Sequence, residues 1–218
     1  MKKVISILGV FLLLTACSKS KTEPDGQDSL LPEYSEEGRN VAGALVNDTA
    51  WRAQMLFCTG CGNTAPFDII TSTSGDSTVF LFAGEYTPNS VNYVDTSADN
   101  LSMDFRFMVK GLKMEKQEDL LKLNNQTFLL NGVDSYVSLA GANHIPRGKG
   151  TGTFIVKNVS LDNSFVAGDG SLGNPIRYRY IVSGYFNFTV TVNNKVYSIQ
   201  EGRYDMAVML EDNFFITQ

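Results

Sequence analysis

The stretch that most constrains the fold is RYRYIVSGYFNFTVTV, residues 177–192. Its apolar side chains fall mainly on even positions and its polar side chains mainly on odd positions, with Ile181 and Tyr185 as exceptions. Because successive side chains of a β-strand point to opposite faces, this alternation predicts a strand with one buried and one polar face. Such strands are typical of antiparallel sheets. Gly184, in the middle of the run, indicates a β-bulge or a close approach of another backbone.

The rest of the chain has a similar sequence pattern, with short alternating or apolar runs between turn residues. Asn193 and Asn194 suit the positive φ angles of a tight hairpin, which predicts a return strand at 195–200. Only KMEKQEDLLKLN, residues 113–124, has a helical composition, with leucines that can form a short apolar stripe. Further strands are predicted at 40–48, 50–57, 77–86, 101–109, 126–132, 135–141, 152–161 and 203–210.

This number of strands with at most one short helix predicts an all-β fold, either an antiparallel β-sandwich or a partly closed barrel. Residues 39–218 are predicted to form a single domain, because they contain no second linker and are enough for a core. Residues 17–38 are polar and punctuated by prolines and glycine, and are predicted to be a flexible tether. Residues 1–16 are predicted to be a signal peptide.

The N-terminus indicates the compartment. Residues 2–3 are lysines, and residues 4–14 are an apolar run too short to span a bilayer as a helix. The sequence Leu-Thr-Ala-Cys that ends at Cys17 resembles the lipobox of bacterial lipoproteins. The resemblance implies that the Cys17 thiol carries a diacylglyceryl group and that fatty acids anchor the mature chain to a membrane. The alternative is an ordinary secreted protein with an incidental cysteine.

Ser18 follows the lipobox cysteine in place of an aspartate, and by resemblance to lipoprotein sorting signals this implies the outer membrane. The leaflet, periplasmic or cell-surface, stays open. Loss of residues 1–16 removes two lysines and no acid, so the formal net charge moves from −5 by two units to −7. An acidic chain without basic clusters argues against a nucleic acid partner, because neutralising phosphates requires Lys and Arg.

The segment FCTGCGN, residues 57–63, contains the two remaining cysteines, Cys58 and Cys61. A zinc site needs about four ligands, and His144 is the only other good candidate. A thioredoxin-like centre would start a helix, whereas the surrounding Gly, Asn and Pro favour turns. In an oxidising compartment we therefore expect a disulfide closing a tight loop. Two free thiols, or metal or redox chemistry, remain alternatives.

Other motifs point to no cofactor and no metal. RGKGTGT, residues 147–153, has the composition of a phosphate loop but lacks the Walker spacing and precedes a predicted strand. A catalytic triad would depend on the single His144, and the GxSxG pattern of hydrolases is absent near it. The acids and amides of residues 162–174 lack EF-hand spacing, so a solvated loop is expected there rather than a calcium site.

A glycosidase would need two carboxylates, which need not be close in sequence. Arg203 and Asp205 lie two residues apart, on one face of a predicted strand that Glu201 shares. A surface ion-pair network is the expected role of this group, and a polar site is the alternative. The other carboxylates available for a pair are Glu85, Asp95, Asp99 and Asp104.

The chain is rich in aromatic residues, with fourteen Phe, nine Tyr and one Trp, and most of the Phe residues are expected in the core. An exposed ring can serve as a stacking platform for a sugar, because it offers an apolar face with a polar rim. The alternative is that these rings are half-buried residues of the sheet. The candidates for exposure are Trp51, Tyr86, Tyr93, Tyr136 and Tyr185.

Three stretches, Gly43 to Trp51, Ser183 to Phe188 and Ile199 to Asp205, resemble segments of uncharacterised lipoproteins of Bacteroidota. Those proteins carry LVNG-x-x-W-like, SG-x-F-x-F and I-x-x-G-R-F-D-like segments in the same order, and here Asp48 stands where the first pattern has Gly. The resemblance implies a β-rich fold and an envelope location, and it supplies no catalytic residues. We expect a non-enzymatic binding or envelope-interaction module whose ligand is a glycan or another envelope protein. A polysaccharide hydrolase and a purely structural subunit are the alternatives.

Overall fold

A computed structural model describes residues 31–53, 56–58, 62–64, 66–71, 76–86, 103–141, 145–168, 171 and 176–209. Within these ranges the chain forms β-strands and one short 3₁₀ helix, Gln117–Leu123, which confirms the predicted all-β fold. The strands are β1 (Val41–Val46), β2 (Thr49–Ala53), β3 (Leu56–Cys58), β4 (Gly62–Thr64), β5 (Phe67–Thr71), β6 (Ser77–Phe82), β7 (Gly84–Tyr86), β8 (Asp104–Lys110), β9 (Gln126–Asn131), β10 (Tyr136–Ala140), β11 (Arg147–Ala167), β12 (Arg177–Val192) and β13 (Lys195–Met209).

The described strands form one large antiparallel sheet, which is not closed, and a small β3–β4 hairpin. The order in the large sheet is β5-β6-β8-β10-β11-β12-β13-β1-β2-β7, with β9 also paired to β11. Strand β11 pairs with β10 through residues 147–150 and with β9 through residues 151–156. The sheet turns at this point, so that the layer of β5, β6 and β8 packs over the layer of β11, β12 and β13.

The two layers meet in a core of phenylalanine rings. The Phe82 ring of β6 lies 5.7 Å from Phe186 of β12 and 5.1 Å from Tyr204 of β13, between ring centroids. Phe107 of β8 stacks on Phe154 of β11 at 4.7 Å. Aromatic contacts of this kind add about 0.5–1.5 kcal/mol each beyond the burial of apolar area. Most of the phenylalanines within the described part of the chain therefore serve packing, as expected.

Strand β12 shows the predicted alternation. Its even positions from Tyr180 to Val190 are buried, whereas Tyr185, Asn187, Thr189 and other odd positions of its second half are exposed. Asn193 and Asn194 have φ angles of 51° and 62°, which confirms the tight hairpin turn. The strand that follows the turn in the sequence differs from the prediction.

The predicted strands at 195–200 and 203–210 are one continuous strand, β13. A β-bulge opposite Phe186 and Phe188 separates the two halves of its pairing with β12, and Glu201 has a φ angle of 53°. The extra residue at the bulge shifts the alternation of inward and outward side chains by one position. Apolar side chains from both halves of β13 can therefore face the core. The predicted strand at 77–86 is, conversely, two strands: β6 pairs with β5 and β8, whereas β7 pairs with β2 at the other end of the sheet.

The 3₁₀ helix lies within the segment of helical composition. Leu120 and Leu123 are buried, whereas Leu121 is 44% exposed, so the leucines form only part of the expected stripe. The carboxylate of Asp119 accepts hydrogen bonds from the backbone N–H groups of Glu115 and Lys116. Burial raises the pKa of Asp119, but hydrogen bonds from Lys122 and from these two N–H groups outweigh it and hold the pKa below its usual value.

Gly184 lies where two backbones approach closely. A Cβ at this position would be 1.9 Å from the carbonyl oxygen of Ile155 on β11. The Tyr204 hydroxyl donates a hydrogen bond to the same carbonyl at 3.0 Å. The register of β11 with β12 shifts between Val156 and Asn158, directly beside Gly184. The predicted close approach is therefore confirmed, and the bulge lies in the neighbouring strand.

Gly184→Ala should lower the free energy of unfolding by about 2–3 kcal/mol, because the added methyl group must displace the β11 backbone. Urea unfolding of the purified protein, followed by tryptophan fluorescence, measures this. Thr189→Ala is the matched control on an exposed position of the same strand, and it should change stability by less than about 1 kcal/mol. Equal unfolding midpoints for Gly184→Ala and the parent would contradict the close approach.

Candidate functional site

Residues 31–40, which we call the strap, lie across the outer face of the layer that contains β1, β12 and β13. The strap includes residues 31–38, the last part of the predicted tether. A Cβ on Gly43 of β1 would be 2.4 Å from Pro32 Cδ, so the proline ring packs directly on that glycine. The Asn40 side chain accepts a hydrogen bond from the Ala207 N–H of β13 at 2.9 Å. The strap is thus packed on the sheet at both of its ends.

The carboxylate of Asp205, on β13, holds the middle of the strap. Its oxygens accept hydrogen bonds from three consecutive backbone N–H groups, those of Glu37 at 3.2 Å, Gly38 at 2.7 Å and Arg39 at 3.2 Å. The hydroxyl of Ser35 also donates to this carboxylate. Asp205 is 1% exposed, and a buried carboxylate requires such a set of donors.

This arrangement corrects the expectation of a surface ion-pair network at Glu201, Arg203 and Asp205. Asp205 is buried because the strap covers it, and its oxygens bind strap donors. Arg203 is 8% exposed, and its guanidinium lies 3.8 Å from the Glu201 carboxylate. Only this last pair belongs to the expected network.

Tyr34 of the strap stacks on Tyr185 of β12, with ring centroids 4.6 Å apart and an interplanar angle of 20°. The Tyr34 hydroxyl donates to Glu36 at 2.7 Å and lies 3.3 Å from the Ser183 hydroxyl. Burial raises the pKa of Tyr34 well above its usual value, so the hydroxyl stays protonated and available as a donor. Tyr185 remains 37% exposed beside the stack.

A small groove of about 220 Å³ opens beside the start of the strap. This volume is below the range of about 300–1,000 Å³ typical of small-molecule sites. Its walls are mostly apolar, with one arginine. The lining residues are Leu31, Pro32, Val41, Ala42, Arg52 and Ala53.

The strap covers only part of the outer face. The remaining part, on β9, β11, β12 and β13, carries hydroxyl and amide side chains. We call this set of side chains the polar strip. In the strand register Thr151 lies opposite Thr189, and Thr189 lies opposite Ser198, so these side chains form a row across the strands. The polar strip consists of Thr127, Thr151, Thr153, Asn187, Thr189, Thr191, Ser198 and Gln200, all exposed or half-buried.

The aromatic candidates lie in different environments. Trp51 is 0% exposed, stacks on Phe105 at 4.2 Å and donates its indole N–H to the Met103 carbonyl at 2.7 Å. The hypothesis that Trp51 is a surface platform is therefore wrong. Tyr136 is half-buried with the Lys149 ammonium 4.6 Å from its ring centroid. The side chain of Tyr86 and all of Tyr93 lie outside the described residues. Tyr185 is two residues from Asn187 on β12 and borders the polar strip.

The described carboxylate candidates lie on three different strands, β7, β8 and β13. Asp205 is bound to the strap, Asp104 is 1% exposed in β8, and Glu201 is paired with Arg203. Glu85 lies on β7. Asp95 and Asp99 lie outside the described residues.

The predicted lipidation and disulfide residues remain predictions. Cys17 and Cys61 lie outside the described residues, as does His144, and of Cys58 only the backbone is described, at the end of β3. No group of three or more His, Cys, Asp or Glu side chains in the described ranges could hold a metal ion. Within the same ranges no helix is long and apolar enough to cross a membrane.

Comparison with known proteins gives no identification: no protein-family model, curated protein or solved structure matches this chain.

Sequence reasoning missed the strap and the polar strip. Tyr34 and Ser35 lie in a polar segment whose composition resembles a linker, and nothing local indicates a partner about 170 residues away in sequence. The polar strip had a visible signal, because Asn187, Thr189 and Thr191 are odd positions of the alternating run. These side chains carry no charge, and this feature of the sequence could have indicated the polar strip.

Asp205→Asn should loosen the strap and lower the free energy of unfolding by about 2–3 kcal/mol, because charge-assisted hydrogen bonds become neutral and one amide group cannot accept them all. Limited digestion with chymotrypsin should cut after Tyr34 faster in this variant than in the parent. Glu37→Gln is the matched control, since its carboxylate pairs only with Arg39 at an exposed site. Identical Tyr34 cleavage in the parent and Asp205→Asn would refute the assigned role of Asp205.

Proposed function

We propose that this protein is a lipid-anchored, extracytoplasmic binding module without catalytic activity, and that it holds its ligand on the polar strip. The observation that carries the proposal is the division of the outer face. The strap covers the buried Asp205 carboxylate and leaves open a surface whose donors and acceptors are uncharged, with the exposed side chains of Leu129 and Val196 among them. Such a surface can bind a ligand but offers no group that titrates near neutral pH.

The non-catalytic role is supported by the use of the candidate carboxylates. General acid–base hydrolysis of a glycoside needs two carboxylates that face the same bond. Asp205 binds strap donors, and Asp104 is buried in β8. Neither is presented to a ligand on the polar strip, and this supports the proposal of a binder over the alternative of a polysaccharide hydrolase.

Anchoring is supported by the lipobox that ends at Cys17. If the strap starts at Leu31, residues 18–30 are left to connect the folded domain with the lipid. Fully extended, such a segment spans at most about 45 Å. The module would therefore work close to the membrane surface, within reach of ligands or partners in the cell envelope.

Cys17→Ala should move the protein from the membrane fraction to the soluble fraction, because the acyl chains on Cys17 are the proposed anchor. Fractionation of expressing cells followed by immunoblotting measures the shift. Ser18→Ala serves as the control and should leave the protein in the membrane fraction. Retention of Cys17→Ala with the membranes would count against the lipid anchor.

The binding role is tested by a photocrosslinker placed on the polar strip. Full-length protein carrying p-benzoylphenylalanine at Thr153 should form an adduct of increased mass when cells are irradiated. Benzophenone inserts into C–H bonds, so it captures protein and glycan ligands alike. Asn163 is exposed on the same strand β11 outside the strip and is the matched position, where no such adduct is expected.

An adduct at Thr153 but not at Asn163 supports a binding module that uses the polar strip. Absence of an adduct at Thr153, or equal adducts at both positions, would contradict the proposal. The result does not depend on the chemical class of the ligand.

A further inference from the structure

We propose that the ligand of the polar strip is a chain of uncharged sugars, an inference that rests on the proposed function and names the class of its ligand. Its first basis is the charge of the surface. The eight residues of the polar strip are uncharged, and Lys149, two residues before Thr151 on β11, has its ammonium 4.6 Å from the ring centroid of Tyr136. The charged pair that follows it on β13, Glu201 and Arg203, has its guanidinium and carboxylate 3.8 Å apart.

Charge complementarity therefore selects the ligand class. An anionic glycan or an acidic protein segment is normally held by Arg and Lys, which form the strong hydrogen bonds to carboxylate, sulfate and phosphate. A basic segment would need carboxylates. A neutral polyol needs neither, because each of its hydroxyls donates and accepts as the Thr, Ser, Asn and Gln side chains do.

The second basis is the spacing of these groups. Neighbouring strands lie about 4.8 Å apart, and side chains on one face of a strand recur about every 6.6 Å. The row Thr151–Thr189–Ser198 and the pair Thr153–Asn187 are thus two adjacent lines of hydrogen-bonding groups. A polymer with repeated hydroxyls can contact several of them at once. Threonine is restricted at χ1, so fixing its hydroxyl on binding costs little entropy.

The third basis is the aromatic stack at one end of the strip. Tyr185 is two residues from Asn187 on β12 and keeps 37% of its surface exposed. Tyr34 packs on its ring at 4.6 Å and fixes its orientation. Sugar rings present apolar C–H faces as well as hydroxyls, and these faces pack against aromatic rings. A ring next to hydroxyl and amide groups matches both parts of a sugar.

The test measures retention of the full-length lipoprotein, in detergent micelles, on insoluble polysaccharides. The neutral set is amylose, arabinoxylan, β-glucan and α-mannan, and the anionic set is polygalacturonate and chondroitin sulfate. We expect retention on at least one neutral polysaccharide, on neither anionic one, and without loss when the salt concentration is raised, because no ion pair is involved.

The triple variant Thr151→Ala, Asn187→Ala, Thr189→Ala should bind the neutral polysaccharide at least about tenfold more weakly, since each hydrogen bond contributes about fivefold in affinity. Tyr185→Ala should weaken it as well. Asn163→Ala, an exposed asparagine outside the strip on β11, should bind as the parent does. Because the strip residues are surface-exposed, unchanged urea midpoints would show that the variants remain folded.

Retention only on the anionic set, salt-sensitive retention, or no retention on any neutral polysaccharide would overturn the inference. So would equal affinity of the triple variant and Asn163→Ala for a neutral polysaccharide. If these results came with a strip-specific photoadduct that contains protein, the binding module would stand and its ligand class would be wrong. Failure of both experiments would remove the proposed function itself.

Discussion

The hydrogen bonds between the Asp205 carboxylate and the strap determine what the outer face of this sheet can do. Three consecutive backbone N–H groups and the Ser35 hydroxyl converge on a side chain that is 1% exposed. Without them, Asp205 would be a buried charge without donors, and the strap would lose the hydrogen bonds that hold its middle on the sheet. Because they exist, residues 35–39 belong to the folded domain, and the outer face has a covered and an open part.

The two faces of the long strands have separate roles. On the inner face of β12 and β13, Phe186, Phe188 and Tyr204 pack against the opposite layer. This face therefore contributes to the stability of the fold. The outer face carries no such packing on β9, β11 and the second half of β12. The strap packs on the other part of that face, between Gly43 on β1 and Ala207 on β13. The open remainder carries the uncharged polar side chains of the strip together with the exposed Leu129 and Val196, and the Tyr34–Tyr185 stack borders it. This composition is the basis for proposing a binding module and a neutral glycan as its ligand.

The parts of the fold that depend on local patterns could be predicted from the sequence. The period-two alternation of 177–192, the Asn193–Asn194 turn and the close approach at Gly184 are local signals, and the structure confirms them. The bulge at Glu201, which joins two predicted strands into β13, depends on register with β12 and has no local signature. Trp51 looked available for binding because sequence does not tell which sheet face is inside. The strap depends on contacts between Ser35 and Asp205, 170 residues apart, which a single sequence cannot indicate.

The most direct measurement of the central claim is hydrogen exchange at the backbone amides of Glu37, Gly38 and Arg39 in the unmodified full-length protein. If the Asp205 carboxylate holds these amides, they should exchange slowly, with protection that approaches that of the buried amides of β12. Exchange at the rate of an unstructured chain, while β12 stays protected, would contradict the account. In that case the strap would not belong to the folded domain, and the open part of the outer face would have no defined border.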